Sequence, residues 1–268
     1  MIWRAALTLA LTLATSFAHA GRPCDEQKPL TVETVDKALN LALKTKLALD
    51  ASGAQVVVMA RAGQDLTTYG LHYSHLGFVY RQPDGMGGEV WRVLHKLNQC
   101  GTPEASIYRQ GLGEFFLDDL WHYEAAWVVP TEDVQKRLIA LLRQETIAIK
   151  LNHKPYSMVS YVWGQKYQQS NQWVIETIAL AMTAGSDQPV ATRAQAQAWL
   201  QNSGYQPSVL TIGPLTRLGA RLTKANVAFD DHPNEKRYSD RIETVTADSI
   251  FDWFLRAGFT EKPLITIR

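Results

Sequence analysis

Apolar residues recur at helical spacing over residues 31–50 (TVETVDKALNLALKTKLALD), where Val35, Leu39, Ala42, Leu43 and Leu47 fall to one side. The pattern predicts an amphipathic helix, closed by the turn-prone residues 50–53 (DASG). The texture then changes to a period of two. Residues 55–61 (QVVVMAR) form a short β-rich run. In 73–81 (YSHLGFVYR), Leu76, Phe78 and Tyr80 share a face, as do Trp91, Val93, His95 and Leu97 in 89–98 (EVWRVLHKLN). PDGMGG lies between the two runs, so they predict a β-hairpin. Residues 125–130 (AAWVVP) predict another strand.

Thr131 and the acids after it open a helix carrying Val134, Leu138, Leu141 and Leu142. Residues 156–163 (YSMVSYVW) make a further apolar run. A helix is expected after Ser170, where a polar stretch gives way to VIETIALAM, and another over RAQAQAWLQNSG, ended by Gly204. Residues 205–245 read as loop-rich. TADSIFDWFLRAG predicts a capped last helix, and PLITIR a terminal strand. Strands cluster early, with helices before and after them. The fold class expected is therefore α+β, an antiparallel sheet with packed helices. The expected organisation is a single domain over 21–268, with a core at about 55–185 and a helical, loop-rich extension at about 186–268.

Residues 1–20 have the form of a signal peptide. Arg4 supplies the positive start, AALTLALTLA the apolar centre, and Ala18-His19-Ala20 the small-x-small cleavage pattern. The expected location is periplasmic or secreted. No other run approaches the roughly 20 apolar residues of a membrane helix, so no transmembrane segment is expected in the mature chain. With 27 basic and 26 acidic residues and no basic stripe, nucleic acid is not favoured as a partner. No cofactor is expected. Export changes how the two cysteines read. In an oxidising compartment Cys24 and Cys100 pair most simply as a disulfide, which would stabilise by about 4 kcal/mol in the chain-entropy model. The rival reading is a catalytic thiol at Cys100.

His75 and His95 lie on neighbouring strands, as hydrogen-bonded structural residues or as members of a site. Ser170 suits a helix N-cap. It equally suits a nucleophile, because a helix N-terminus stabilises an oxyanion and His75 could serve as base, with His95 orienting it. Asn171, Gln172 and Trp173 beside it are candidates for contacting a substrate. Asp230, Asp231 and His232, in FDDHP, could ligate a divalent metal or form a turn held by its own side chains. Trp121, Trp127, Trp163 and Trp199 could line a sugar or peptide groove, or belong to the core.

RAGQDLTTYGLHYSHLGFVYR, WRVLHKLNQCG, YQQSNQWVIE, AQAWL and NVAFDDHP together resemble a family of exported bacterial proteins described only as a domain of unknown function. A second resemblance, to the circularly permuted papain-like superfamily of lecithin retinol acyltransferase-like enzymes and cell-wall amidases, rests on three short motifs. His75-Leu76-Gly77 is similar to its strand-borne His-x-Gly, His95 to the polar residue of the next strand, and residues 169–174 (QSNQWV) to its catalytic helix start. Ser170 stands where that superfamily has cysteine. A hydroxyl ionises far less readily than a thiol. This resemblance implies either a papain-like scaffold that binds a peptide or glycan of the cell envelope, or a serine-dependent amide or ester hydrolase or acyltransferase.

Overall fold

The computed structural model describes residues 30–118 and 120–268. The leader and Cys24 lie outside them. In chain order the elements are α1 (Val32–Ser52), β1 (Val56–Arg61), β2 (His75–Pro83), β3 (Glu89–Asn98), β4 (Ala105–Gly111), α2 (Leu112–Phe116), β5 (Ala125–Val128), α3 (Glu132–Leu142) and α4 (Glu145–Ala148). There follow α5 (Ser170–Thr183), α6 (Arg193–Asn202), β6 (Ser208–Thr211), α7 (Pro214–Thr223), α8 (Asn234–Tyr238), β7 (Arg241–Thr244), α9 (Ala247–Arg256) and β8 (Ile265–Ile267). Six strands make one antiparallel sheet in the order β4-β3-β2-β1-β5-β8, and β6 pairs with β7 separately. The class is α+β. Among the described residues no helix is long and apolar enough to cross a membrane.

Strand alternation divides the core across the sheet. Val56, Val58 and Ala60 of β1 and Leu76, Phe78 and Tyr80 of β2 face the larger cluster, which also takes in α3, α5, α6 and α9. Val57, Met59, Val79, Trp91 and Val93 face the other side, against α1 and α2. The hairpin register pairs Phe78 with Leu94 and Val79 with Val93. The large cluster holds residues from both sides of position 186, including Trp173, Ala196, Leu200 and Trp253.

Several expectations change. The helix α1 forms as expected but docks through a different stripe, Ala38, Leu41, Ala42, Thr45 and Leu49, leaving Leu39, Leu43 and Leu47 about half exposed. The region 205–245 is a small β6–β7 ribbon with α7 and α8, built around Leu210, Ile212, Val227, Phe229 and Ile242. β4 and α2 were not anticipated; β4 is an edge strand of mostly half-buried side chains, with little apolar alternation to mark it.

Candidate functional site

The N-terminal end of α5 meets the start of β2. There the Asn171 side-chain carbonyl accepts from the backbone N–H of Leu76 at 3.2 Å, beside His75. His75 Nε2 lies 2.8 Å from His95 Nδ1, and His95 Nε2 lies 2.8 Å from the Gln110 carbonyl oxygen. The chain fixes the tautomers. Gln110 Oε1 can only accept, so His95 Nε2 carries hydrogen and its Nδ1 accepts from His75 Nε2–H. His75 Nδ1 is then the unprotonated nitrogen. Burial is the main cause that holds both imidazoles neutral, with the Arg61 charge second. His95 is pushed down to about 3, and His75 well below its ordinary value. Gly77 makes the close pairing possible: a Cβ there would lie 2.8 Å from that of His95 and 2.9 Å from the Leu94 carbonyl oxygen.

The two histidines face the α1–α2 side. Arg61, which stands opposite His75 in the β1–β2 register, has its guanidinium 4.7 Å from the Phe115 ring centroid, and the His95 ring centroid is 5.3 Å from that of Phe115. The helix α5 packs on the opposite face, through Trp173 against Phe78. The Ser170 hydroxyl lies beside the buried phenol of Tyr156, whose pKa burial raises while Ser170 acts the other way. The described hydrogen bonds join His75 to His95 and His95 to Gln110, and none of them joins either imidazole to Ser170. Ser170 is also not the cap. Gln169, with extended backbone, holds that position, and Ser170 is the first helical residue. It is 7% exposed. A serine nucleophile needs an adjacent base, and among the described hydrogen bonds no histidine is paired with Ser170. A broad fluorophosphonate probe, followed by peptide mapping, is expected to leave Ser170 unlabelled in folded protein; a label there, abolished by His75→Ala, would establish an activated serine.

The neighbouring candidates are internal. Gln172 is fully buried, accepting from Ser160 Oγ at 2.8 Å and donating to the Val162 carbonyl at 2.9 Å; Trp173 is core. Neither offers a surface to a ligand, because the first turn of α5 is enclosed by residues 156–163. Asp230, Asp231 and His232 do not converge. Asp230 accepts from Lys166 and Tyr167, while Asp231 accepts from the Tyr161 backbone and bonds His232 Nδ1 at 3.0 Å. Among the described residues no group of three or more His, Cys, Asp or Glu is arranged to hold a metal. Trp127 belongs to the core on the α1–α2 side, and Trp163 and Trp199 pack against the larger cluster on the other side.

An open cavity of about 680 Å³ lies at the same end of the sheet, lined by His72, Tyr73, Glu124, Thr266 and Arg268. Glu124 precedes β5 and is 4% exposed. Its Oε1 accepts from Tyr73 Oη at 2.7 Å and bonds His72 Nε2 at 3.0 Å, and its Oε2 accepts from Arg268 Nε. Burial pushes the Glu124 carboxyl up, but the Tyr73 and Arg268 hydrogen bonds outweigh it and hold the group below its usual value. Tyr73 is pushed up to about 12, by burial and then by Glu124. Asp248, in the first turn of α9, lies near His72, and burial raises its pKa. Beside the cavity the His72 ring centroid is 6.1 Å from that of Trp121 and 6.3 Å from that of His122. Trp121 is 36% exposed.

A second cavity of similar volume lies between α1 and β3. Its charged groups are paired with one another: Asp50 bonds Lys46, Arg81 and Trp91, and Arg81 also reaches Glu89. It offers mainly apolar walls. The first cavity combines a buried carboxylate, a phenol, an imidazole and a guanidinium, and the exposed Trp121 indole lies beside its His72. Sequence reasoning singled out Trp121 alone among these groups. Fifty-two positions separate His72 from Glu124, and no local pattern marks either.

The family DUF2145, described as an uncharacterized protein conserved in bacteria, matches residues 48–254, a span that includes His72, Tyr73, His75, His95, Trp121, Glu124 and Ser170. No curated protein and no solved structure matches the chain.

Proposed function

The chain belongs to the DUF2145 family of bacterial proteins, and we propose that this member is an exported envelope protein that binds a glycan in the Glu124 cavity. The observation that carries this reading is the buried Glu124 carboxylate at an open cavity, held ionised by Tyr73, Arg268 and His72 next to an exposed indole. A sugar offers hydroxyls to such fixed polar groups and an apolar C–H face to an aromatic ring. That matches the usual make-up of small-ligand sites, apolar walls with a few oriented polar groups. A peptide would gain less from the indole and from a floor of hydroxyl-binding groups.

In this reading residues 1–20 are removed on export, and Cys24 bridges to Cys100 in the oxidising compartment. The ancestral scaffold is papain-like. The succession of two histidine-bearing strands and a helix opening on Ser170 supports that descent, as does the Asn171–Leu76 contact. With serine in the cysteine position and buried beside Tyr156, the scaffold binds and does not cleave. One observation favours the second reading, a serine-dependent amide or ester hydrolase: the neutral His75–His95–Gln110 chain leaves His75 Nδ1 free to accept a proton.

The test is calorimetric titration of the mature protein with soluble cell-wall glycan fragments, and separately with the peptide portions of that material. Saturable binding of the glycan is expected, weakened roughly tenfold or more by Trp121→Ala. Binding of the peptide portions alone would overturn the assignment of ligand class.

A further inference from the structure

The helix α7 presents its apolar face outward. On a wheel of 3.6 residues per turn, Leu215, Leu218 and Leu222 of PLTRLGARLT form one ridge, and Ala220 lies on the opposite side. Ala220 is the residue of α7 that packs on the small core of Leu210, Ile212, Val227, Phe229 and Ile242. The leucines are 84%, 57% and 77% exposed, and no residue of α7 is buried. The helix α9 shows the usual arrangement, burying Ile250, Phe251, Trp253 and Phe254. The ridge is therefore not needed to attach α7 to the fold.

The charged residues on α7 and just after it are basic, and two of them pair with acids from outside that stretch. Residues 212–229 contain Arg217, Arg221 and Lys224 and no Asp or Glu. Arg217 is tied to Asp240 and the Ile212 carbonyl. Arg221, on the flank of the ridge, is 56% exposed and lies 3.9 Å from Asp230. Leucines on one face with arginine beside them are the pattern of a helix lying in a membrane interface, where leucines enter the acyl boundary and cations meet anionic headgroups. A neutral protein partner would have no use for that charge.

We propose that α7 docks this protein on the surface of a bilayer containing anionic lipid, with Leu215, Leu218 and Leu222 inserted and Arg221 at the phosphates. The contact is peripheral and independent of the cavity. It would hold the protein beside the membrane.

Co-sedimentation of the mature protein with phosphatidylcholine vesicles containing about one-third phosphatidylglycerol tests this. Binding is expected, with little to vesicles of phosphatidylcholine alone, and loss on raising the salt. The triple variant Leu215→Ser, Leu218→Ser, Leu222→Ser should bind roughly tenfold or more weakly. Its thermal midpoint should hold, because the three side chains are exposed. Arg221→Glu should weaken binding while keeping the ridge intact. No binding to the anionic vesicles, or binding that the triple variant keeps, would overturn the proposal. So would a reversible dimer that the triple variant abolishes in the absence of any vesicle binding, since the ridge would then belong to a second copy.

Discussion

Replacing Glu176 by alanine is expected to destabilise the protein by about 3–5 kcal/mol, the range for removing one partner of a buried ion pair. Glu176 is completely buried in α5. It accepts from Arg193 Nε at 2.8 Å and Nη2 at 3.1 Å, from Gln197 Nε2 at 2.9 Å, and from Gln168 Nε2. The Gln168 oxygen in turn accepts from Lys96 Nζ at 2.7 Å and from the His153 N–H at 2.9 Å. One carboxylate thus offsets two buried cations. Burial, and then Arg193, bring Lys96 down to about 7, while Glu176 pulls the other way. Alanine would leave the Arg193 charge enclosed and unmatched. Glu176→Gln keeps an acceptor and should cost less. The urea midpoint measures both; a loss below about 1 kcal/mol for alanine would mean that water reaches the network.

Acid is expected to weaken the fold well before carboxylates titrate. In an unfolded chain a histidine ionises near 6.5, while folded His95 is held at about 3 and His75 well below its ordinary value. Between those values the unfolded state binds more protons, so stability falls as the pH falls. For His95 alone the loss from about pH 7 to about pH 4.5 is roughly 2–3 kcal/mol, and His75 adds to it with the same sign. Lys96 acts likewise in a higher window, stability rising from about 7 towards its unfolded value. Urea midpoints at the two pH values, for the natural protein and for His95→Gln, isolate the histidine contribution. An unchanged pH dependence in His95→Gln would mean that the imidazole is accessible to protons in the folded state.

The sheet was legible where alternation was strong. Leu76, Phe78 and Tyr80 face one core, and Trp91 and Val93 of β3 face the other. The same logic misled in α1. Its leucines at 39, 43 and 47 make the more regular stripe, yet the face that docks carries Ala38, Leu41, Ala42, Thr45 and Leu49. Propensity cannot express that choice. The His75–His95 pairing was readable as adjacency of strands, but not which face the pair would occupy relative to α5, because that depends on register and on the side of the sheet the helix takes. The start of α5 was placed to within one residue, the cap being Gln169 and not Ser170. Glu124 escaped notice altogether. It is a lone acid before a strand, and its meaning comes from Tyr73, His72 and Arg268, brought to it only by the folded chain.

The cavity is the seat of the ligand in this account, and Ser170 is a buried hydroxyl next to Tyr156. The glycan titration carried out on Glu124→Ala and Ser170→Ala side by side tests that claim most directly. Glu124→Ala should lose binding, because Tyr73, His72 and Arg268 lose the group that orients them, and Ser170→Ala should bind as the natural protein does. Binding lost in Ser170→Ala and kept in Glu124→Ala, with both proteins folded, would contradict the account and return the function to the start of α5.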